Sequence, residues 1–378
     1  MYIYIIVLLI SLLFASVIME LQKMPVDVLE YKTITIPKRY VEYMLLFCSM
    51  LPFILLCGLR YNVGVDYSYT YTYLYDLVAQ GLSYTQVNAI RNCEIGFYWL
   101  IRFIQAMGGG YVYLFTITSA VIISLFWIGF YQQSDNLCMS ITLFICAESF
   151  FVSLSYVRQF MARAVVFYGI KYLTEKGMKN VLKYLRCVAL ACTFHTSAIL
   201  MIGLIAAKYI RIHPGVLTTA IIIISSFKYT LEKPLEWLLR KTKYHYAIGT
   251  PFQSPVRFYM TRPIAYSILF TLAWIFYKKC RHDKNYNLIL NTLAMLILIT
   301  VNFDVMPQLD RVTWYYEILV MLCTPYLIKQ IENRWLKKIV TIGLITMYAV
   351  FTYHNVVVYL AHGAVPYRFV LAPSMVIY

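Results

Sequence analysis

The chain has 378 residues, of which 61% are hydrophobic and only 13% charged, with a mean hydropathy of +0.67 and a formal net charge of +16. A soluble domain carries roughly twice that charged fraction, which excludes a soluble globular enzyme. Uninterrupted apolar runs of about 18 residues recur, each long enough to cross a bilayer as a helix, so the composition defines an all-α polytopic membrane protein.

The first run, YIYIIVLLISLLFASVIM from Tyr2 to Met19, lacks a basic leader, is too long for a signal core and precedes no small-x-small cleavage site, so it reads as a retained first helix. Further spans are expected near 42–58, 111–131, 137–153, 157–174, 183–207, 263–278, 286–302, 313–328 and 338–357. The run GVLTTAIIIISSF, from Gly215 to Phe227, is short for a full span and reads as a tilted span, a broken helix or a re-entrant segment. These runs give about ten to eleven membrane elements in a single integral membrane domain over 1–378, with no internal repeat. Segments 58–110 and 208–262 stand out as substrate-facing insertions.

Charge placement orients the bundle. Connections 20–39, 171–186, 278–284 and 329–338 hold thirteen lysines and four arginines, and the positive-inside rule makes them cytoplasmic. Alternation then puts the N-terminus, 58–110, the 303–312 loop and the C-terminal tail outside. The remaining positions reverse the ratio, with five lysines and eleven arginines. Lysine suits a solvated anchor at an anionic leaflet. Arginine, with its planar fork, suits bidentate binding of phosphate in a partly desolvated site, although any single one can instead snorkel or pair with a carboxylate. Taken together, the asymmetry points to an outward-facing anionic substrate and away from nucleic acid. The nine cysteines show no C-x-x-C and no Cys/His cluster at metal spacing, which argues against a disulfide framework and against zinc.

Ionisable groups at membrane depth are costly and face a cavity or a partner. In chain order the candidates are Arg60 and Asp66 in GLRYNVGVDYSYTYTYLYDL; Glu94 and Arg102 in NCEIGFYWLIRFI; Arg158, Gln159 and Arg163 in SYVRQFMARAV; His195 in CTFHTSAIL, near the middle of the sixth helix; Asp304, Asp310 and Arg311 in the late loop; and Arg368. Structural ion pairs, Arg158 with Glu148 for example, are the alternative for each charge, and helix packing is the alternative for His195. Tyrosines occupy every second position from Tyr67 to Tyr75. An isolated strand at a membrane surface has no pairing partner, whereas a helix aligns Tyr67, Tyr71 and Tyr75 on one face. Such rings can stack on sugars while their hydroxyls hydrogen-bond, or can form an interfacial belt.

The ordered set R-x-x-x-G-x-D-Y, E-x-G-F, S-x-V-R-Q-x-x-A, H-T-S and a late loop arginine resembles the EpsG family of Wzy-like polysaccharide polymerases over nearly the whole chain. Arg60, Gly64, Asp66, Tyr67, Glu94, Gly96, Arg158, Gln159, His195 and Arg311 occupy the matching positions. The resemblance implies a GT-C-like bundle in the cytoplasmic (inner) membrane that joins polyprenyl-diphosphate-linked oligosaccharide units at the extracytoplasmic face, beside the flippase and chain-length regulator of its pathway. The leaving diphosphate needs electrostatic stabilisation and the acceptor hydroxyl must lose a proton. Arg60, Arg158 and Arg311, with Arg163 in reserve, suit the first need; Asp66 or Glu94, then His195, suit the second; Tyr67, Tyr71 and Gln159 suit the glycan. No D-x-D occurs, so a metal-independent, inverting transfer without cofactor is expected.

Two other classes are open. A flippase or transporter for lipid-linked sugars also wants arginines and aromatics, but should show paired repeats and a midplane charged cavity. A membrane glycan O-acyltransferase uses a histidine base, but no further acyltransferase motif is present.

Overall fold

The computed structural model describes residues 1–31, 34–241, 261–283, 285–302 and 310–377. Nearly all regular structure is helical, and the described chain divides into two compact units: Met1–Tyr172 with Gly177–Ile199 and Thr352–Tyr378, and Leu173–Lys176 with Leu200–Phe351. Four described helices are long and apolar enough to span a bilayer: Tyr2–Lys23, Lys38–Gly58, Tyr111–Gln133 and Arg334–Val358. A fifth span results if Leu137–Cys146 and Ser149–Ser155, bent by 54°, are taken together. The predicted run 157–174 is met in full by one helix, Val157–Thr174, and the remaining ones by shorter or interrupted helices.

In the first unit, α1 (Tyr2–Lys23) packs on α2 (Lys38–Gly58), the two being joined through a β1–β2 ribbon (Val28–Tyr31, Ile34–Pro37). The α3 (Tyr73–Ala79), α4 (Tyr84–Ile90) and α5 (Ile95–Ala106) helices follow, and then α6 (Tyr111–Gln133), which packs on α2. Lipid offers these helices no hydrophobic drive to associate, so small residues and polar knots hold them. A Cβ on Gly58 would lie 2.6 Å from Thr116 Oγ1, and Ser49 bonds both Ser11 (2.7 Å) and the Trp127 indole (2.9 Å). Around that knot Phe53, Phe126, Trp127, Phe130, Phe144 and Phe150 form an aromatic core of edge-to-face and tilted pairs.

Two predicted spans are broken. The run near 137–153 divides into α7 (Leu137–Cys146) and α8 (Ser149–Ser155) at Glu148, whose φ is +67°. The run near 183–207 stops being α-helical at His195, so the expectation that His195 sits within a helix is corrected. It caps α10 (Met178–Phe194), downstream of α9 (Val157–Thr174), in an extended conformation (φ −156°, ψ 114°), and a 3₁₀ stretch Thr196–Ile202 follows. Finally, β3 (Tyr367–Phe369) and β4 (Ala372–Ile377) form a hairpin at the C-terminal end. Phe369 of this hairpin bridges to Arg60.

The second unit holds α11 (Gly203–Tyr209), α12 (Pro214–Ser226), α13 (Lys228–Arg240), α14 (Thr261–Ile275), α15 (Tyr277–Cys280), α16 (Tyr286–Val301), α17 (Asp310–Glu317), α18 (Val320–Lys329) and most of α19 (Arg334–Tyr353). The α16 helix packs on α11, α12 and α14, and Asn291 donates to the Ala207 and Ile210 carbonyls that close α11. The segment flagged as short, Gly215 to Phe227, matches the 13-residue α12. At the start of α14, Arg262 and Tyr266 both meet the buried Glu317 carboxylate, at 3.8 and 2.7 Å.

Candidate active site

Three of the sequence-picked residues converge in the first unit. Glu94 is the N-cap of α5, but its carboxylate makes no cap and turns inward. Arg158, in the first turn of α9, donates through Nη1 to Glu94 Oε2 (2.6 Å) and to the Asn92 carbonyl (2.8 Å). His195 Nδ1 lies 3.0 Å from Glu94 Oε1, outside hydrogen-bond alignment, and Thr196 Oγ1 approaches the same oxygen at 3.5 Å. Gly96 explains how the chain brings them together. A Cβ there would stand 2.6 Å from Thr193 Oγ1 and 2.8 Å from the Thr193 carbonyl, so only glycine lets α5 seat against the end of α10, which α5 packs on. The spacing E-x-G therefore places the carboxylate two residues from the contact that aims it at His195.

The electrostatics follow from that packing. Burial works to raise the Glu94 carboxyl from its ordinary value of 4.5, but the His195 ring and the Arg158 charge outweigh burial and hold it at about 2. Tyr71 supports the arginine from behind. Its hydroxyl accepts from the Arg158 backbone N–H at 3.4 Å, and its ring packs edge-on against Phe97 and Phe115.

The other picks lie outside that trio, Asp66 being near enough for its charge to reach Tyr71, which also meets Arg158. Arg60 is only 2% exposed; its Nη1 donates to the Leu154 carbonyl (2.7 Å) and its guanidinium stacks 4.7 Å from the Phe115 ring centroid. Gly64 meets the same Leu154 carbonyl, since its φ is +99° and a Cβ would stand 2.3 Å from that oxygen, a combination only glycine accommodates. The R-x-x-x-G spacing thus fastens the loop to the end of α8, and Asp66, half-buried, caps the segment that follows. That segment, Tyr67–Thr72, is a π-helical turn leading into α3, so the tyrosines are helical as expected. Tyr67 and Tyr71 point into the protein, Tyr67 stacking on Phe115, while Tyr69 and Tyr73 face outward. Gln159 and Arg163 are also buried, Arg163 lying over the Phe160 ring at 3.9 Å. Arg102 is exposed and Arg368 half-buried in β3. Arg311 belongs to α17 of the second unit; its side chain, like that of Asp310, and the whole of Asp304 lie outside the described residues.

The carboxylate that pairs with Arg158 is thus Glu94, whereas Glu148 meets the C-terminal tail. Its Oε1 lies 2.8 Å from His362 Nε2 and its Oε2 accepts from Asn355 at 3.2 Å. His362 and Asn355 escaped the sequence reading because they lie in the tail, 214 and 207 residues from Glu148 along the chain. The available signal was Glu148 itself, a carboxylate within an apolar run.

Fold and site together define a polytopic α-helical membrane protein with a buried, arginine-clamped carboxylate beside a histidine. The EpsG family model matches residues 43–369, and the chain belongs to the EpsG family. Membership supports, in general terms, a polysaccharide polymerase-type role. No curated protein and no solved structure matches the chain.

Proposed function

We propose that the protein joins polyprenyl-diphosphate-linked oligosaccharide units at the outer face of the cytoplasmic membrane by metal-independent, inverting glycosyl transfer. The observation that carries this reading is the Glu94 carboxylate held between Arg158 and His195. A carboxyl near 2 is a poor base at neutral pH, so Glu94 serves to orient its neighbours. A carboxylate facing Nδ1 favours the proton there and leaves Nε2 of a neutral ring as the acceptor. In the step itself the acceptor hydroxyl oxygen attacks the anomeric carbon opposite the diphosphate and its proton passes to His195 Nε2. The carbon–oxygen bond to diphosphate breaks, and the electron pair leaves with the diphosphate.

Arg158 takes the departing charge with the remaining edge of its fork. Arg311 is the second candidate for that charge, and Asp66 the second candidate base. Arg60 and Arg163, buried in this geometry, support the site from within; the outward Tyr69 and Tyr73 are better presented to a glycan than Tyr67 and Tyr71. The absence of a D-x-D motif supports a transfer that persists in chelator.

The test is a polymer ladder from reconstituted protein, with substrate binding measured on the same preparations. His195→Gln is expected to bind lipid-linked substrate while polymerising at least about a hundredfold more slowly. A near-normal ladder from this variant, with Asp66→Asn inactive but folded, would move the base to Asp66. Loss of activity in EDTA with recovery on added magnesium or manganese would defeat the metal-free mechanism.

A further inference from the structure

A second carboxylate–histidine pair lies at the N-terminal end of α8. Glu148 is 1% exposed, and both of its oxygens are engaged, Oε1 by His362 Nε2 at 2.8 Å and Oε2 by Asn355 Nδ2 at 3.2 Å. Facing a carboxylate, Nε2 is the donor. Both members of the pair have left-handed backbones, φ +67° at Glu148 and +66° at His362, and Leu360 is left-handed as well at +52°. Such conformations cost energy in non-glycine residues and persist where surrounding contacts over-determine them.

What the pair holds is visible in the backbone around it. The His362 carbonyl accepts from Ser155 Oγ (2.7 Å) and from the Val65 N–H (3.2 Å), and the Gly363 carbonyl accepts from the Gly64 N–H (2.9 Å). The Val65 N–H also lies 3.1 Å from Ser155 Oγ. Further along the tail, the Arg368 carbonyl accepts from the Tyr61 N–H (2.9 Å) and the Val370 N–H donates to the Leu59 carbonyl (2.8 Å). The Glu148–His362 contact is thus the side-chain anchor of a tail that holds the backbone at Gly64 and Val65, immediately before Asp66. Ser155, three residues before Arg158, ties the same knot to the clamp, no more than about 10 Å along the chain.

We propose that Glu148 and His362 form a positioning pair that fixes residues 61–66 and so sets Asp66 beside the Arg158 end of the site. The role of Asp66 rests on the transferase reading above; the anchoring of the loop does not. The pair acts through the loop and touches no substrate.

The test uses substitutions that keep the backbone but shorten the reach. Asparagine tolerates a left-handed φ, so Glu148→Asn and His362→Asn should fold while losing the contact; Glu148→Gln retains an accepting oxygen and is the control. Amide hydrogen exchange of the peptide covering 61–66, measured on the full chain in detergent, is expected to speed up at least tenfold in both asparagine variants and little in Glu148→Gln. Polymerisation is expected to fall about tenfold in kcat with KM held within twofold. That loss should be strongly non-additive with Asp66→Asn and additive with His195→Gln. Unchanged exchange at 61–66 overturns the proposal, as does faster exchange with undiminished polymerisation, or a loss fully additive with Asp66→Asn. If the asparagine variants do not fold, Ser155→Ala, which removes the link from His362 to Val65, must reproduce the exchange and the non-additivity. A wild-type protein inactive on every lipid-linked substrate would sink the transferase reading, while the exchange measurement still decides whether the pair anchors the loop.

Discussion

Glu94 shows how one side chain is tuned by its seat. Its folded value, about 2, lies below the ordinary 4.5, so the native state binds its proton less well than the unfolded chain. The stabilisation this gives is present above about 4.5 and is lost as pH falls through the interval down to about 2. Glu94→Gln should therefore be less stable than wild type by about 3 kcal/mol at neutral pH, the cost of leaving a mostly buried arginine without its counter-charge. The difference should shrink as pH is lowered from 4.5 towards 2; a pH-independent gap in the thermal transition of the two proteins would show that the charge is not what matters. Gly96→Ala makes a companion case. The added methyl would stand 2.8 Å from the Thr193 carbonyl, which no change of rotamer relieves. We expect a loss of about 1–3 kcal/mol and a fall in polymerisation with it, since α5 must then back away from His195. Unaltered stability and activity would mean that the approach of α5 to α10 is not needed. Glu94, Arg158 and His195 were legible in the sequence because an ionisable group in so apolar a chain advertises a purpose. Tyr67 and Tyr71 were less so, because the spacing of tyrosines says that they share a face but not which way that face is turned.

At the scale of elements, the two interrupted helices matter most. Hydropathy sums side-chain character along a run and carries no backbone information, so 137–153 and 183–207 read as continuous even though Glu148 and His195 interrupt them. What the sequence did disclose was a carboxylate and an imidazole in the interior of apolar runs, which is where each break occurs. Glu148→Gly separates the competing effects at the first break. It relieves a left-handed conformation costing about 1–3 kcal/mol, but it removes the acceptor of two buried hydrogen bonds, worth about 1.5–3 kcal/mol each when the acceptor is charged. The second effect is the larger, so the variant should melt below wild type; a higher melting temperature would show that the backbone strain outweighs the bonds.

For the whole molecule, the membrane class followed from composition, whereas the number of crossings did not, because many of the apolar runs fold into helices too short or too interrupted to span alone. Sidedness can be checked by thiol labelling, but not at Cys93. That thiol is 1% exposed, and burial raises it to about 12, so it should stay unreactive on either face. Ala89→Cys on the exposed side of α4 should react with an impermeant reagent in intact cells, and Lys179→Cys only after permeabilisation; the reverse pattern would invert the topology. The tail hairpin also sets an order of assembly. Tyr367 donates to the Leu56 carbonyl across 311 residues of sequence, and Phe369 bridges to Arg60. During synthesis, then, the segment around Arg60 emerges and enters the membrane long before its backbone partners exist. Until residues 361–369 leave the ribosome, that segment must wait with its N–H and carbonyl groups turned to water or lipid headgroups, so a chain cut short upstream would be inserted yet never completed.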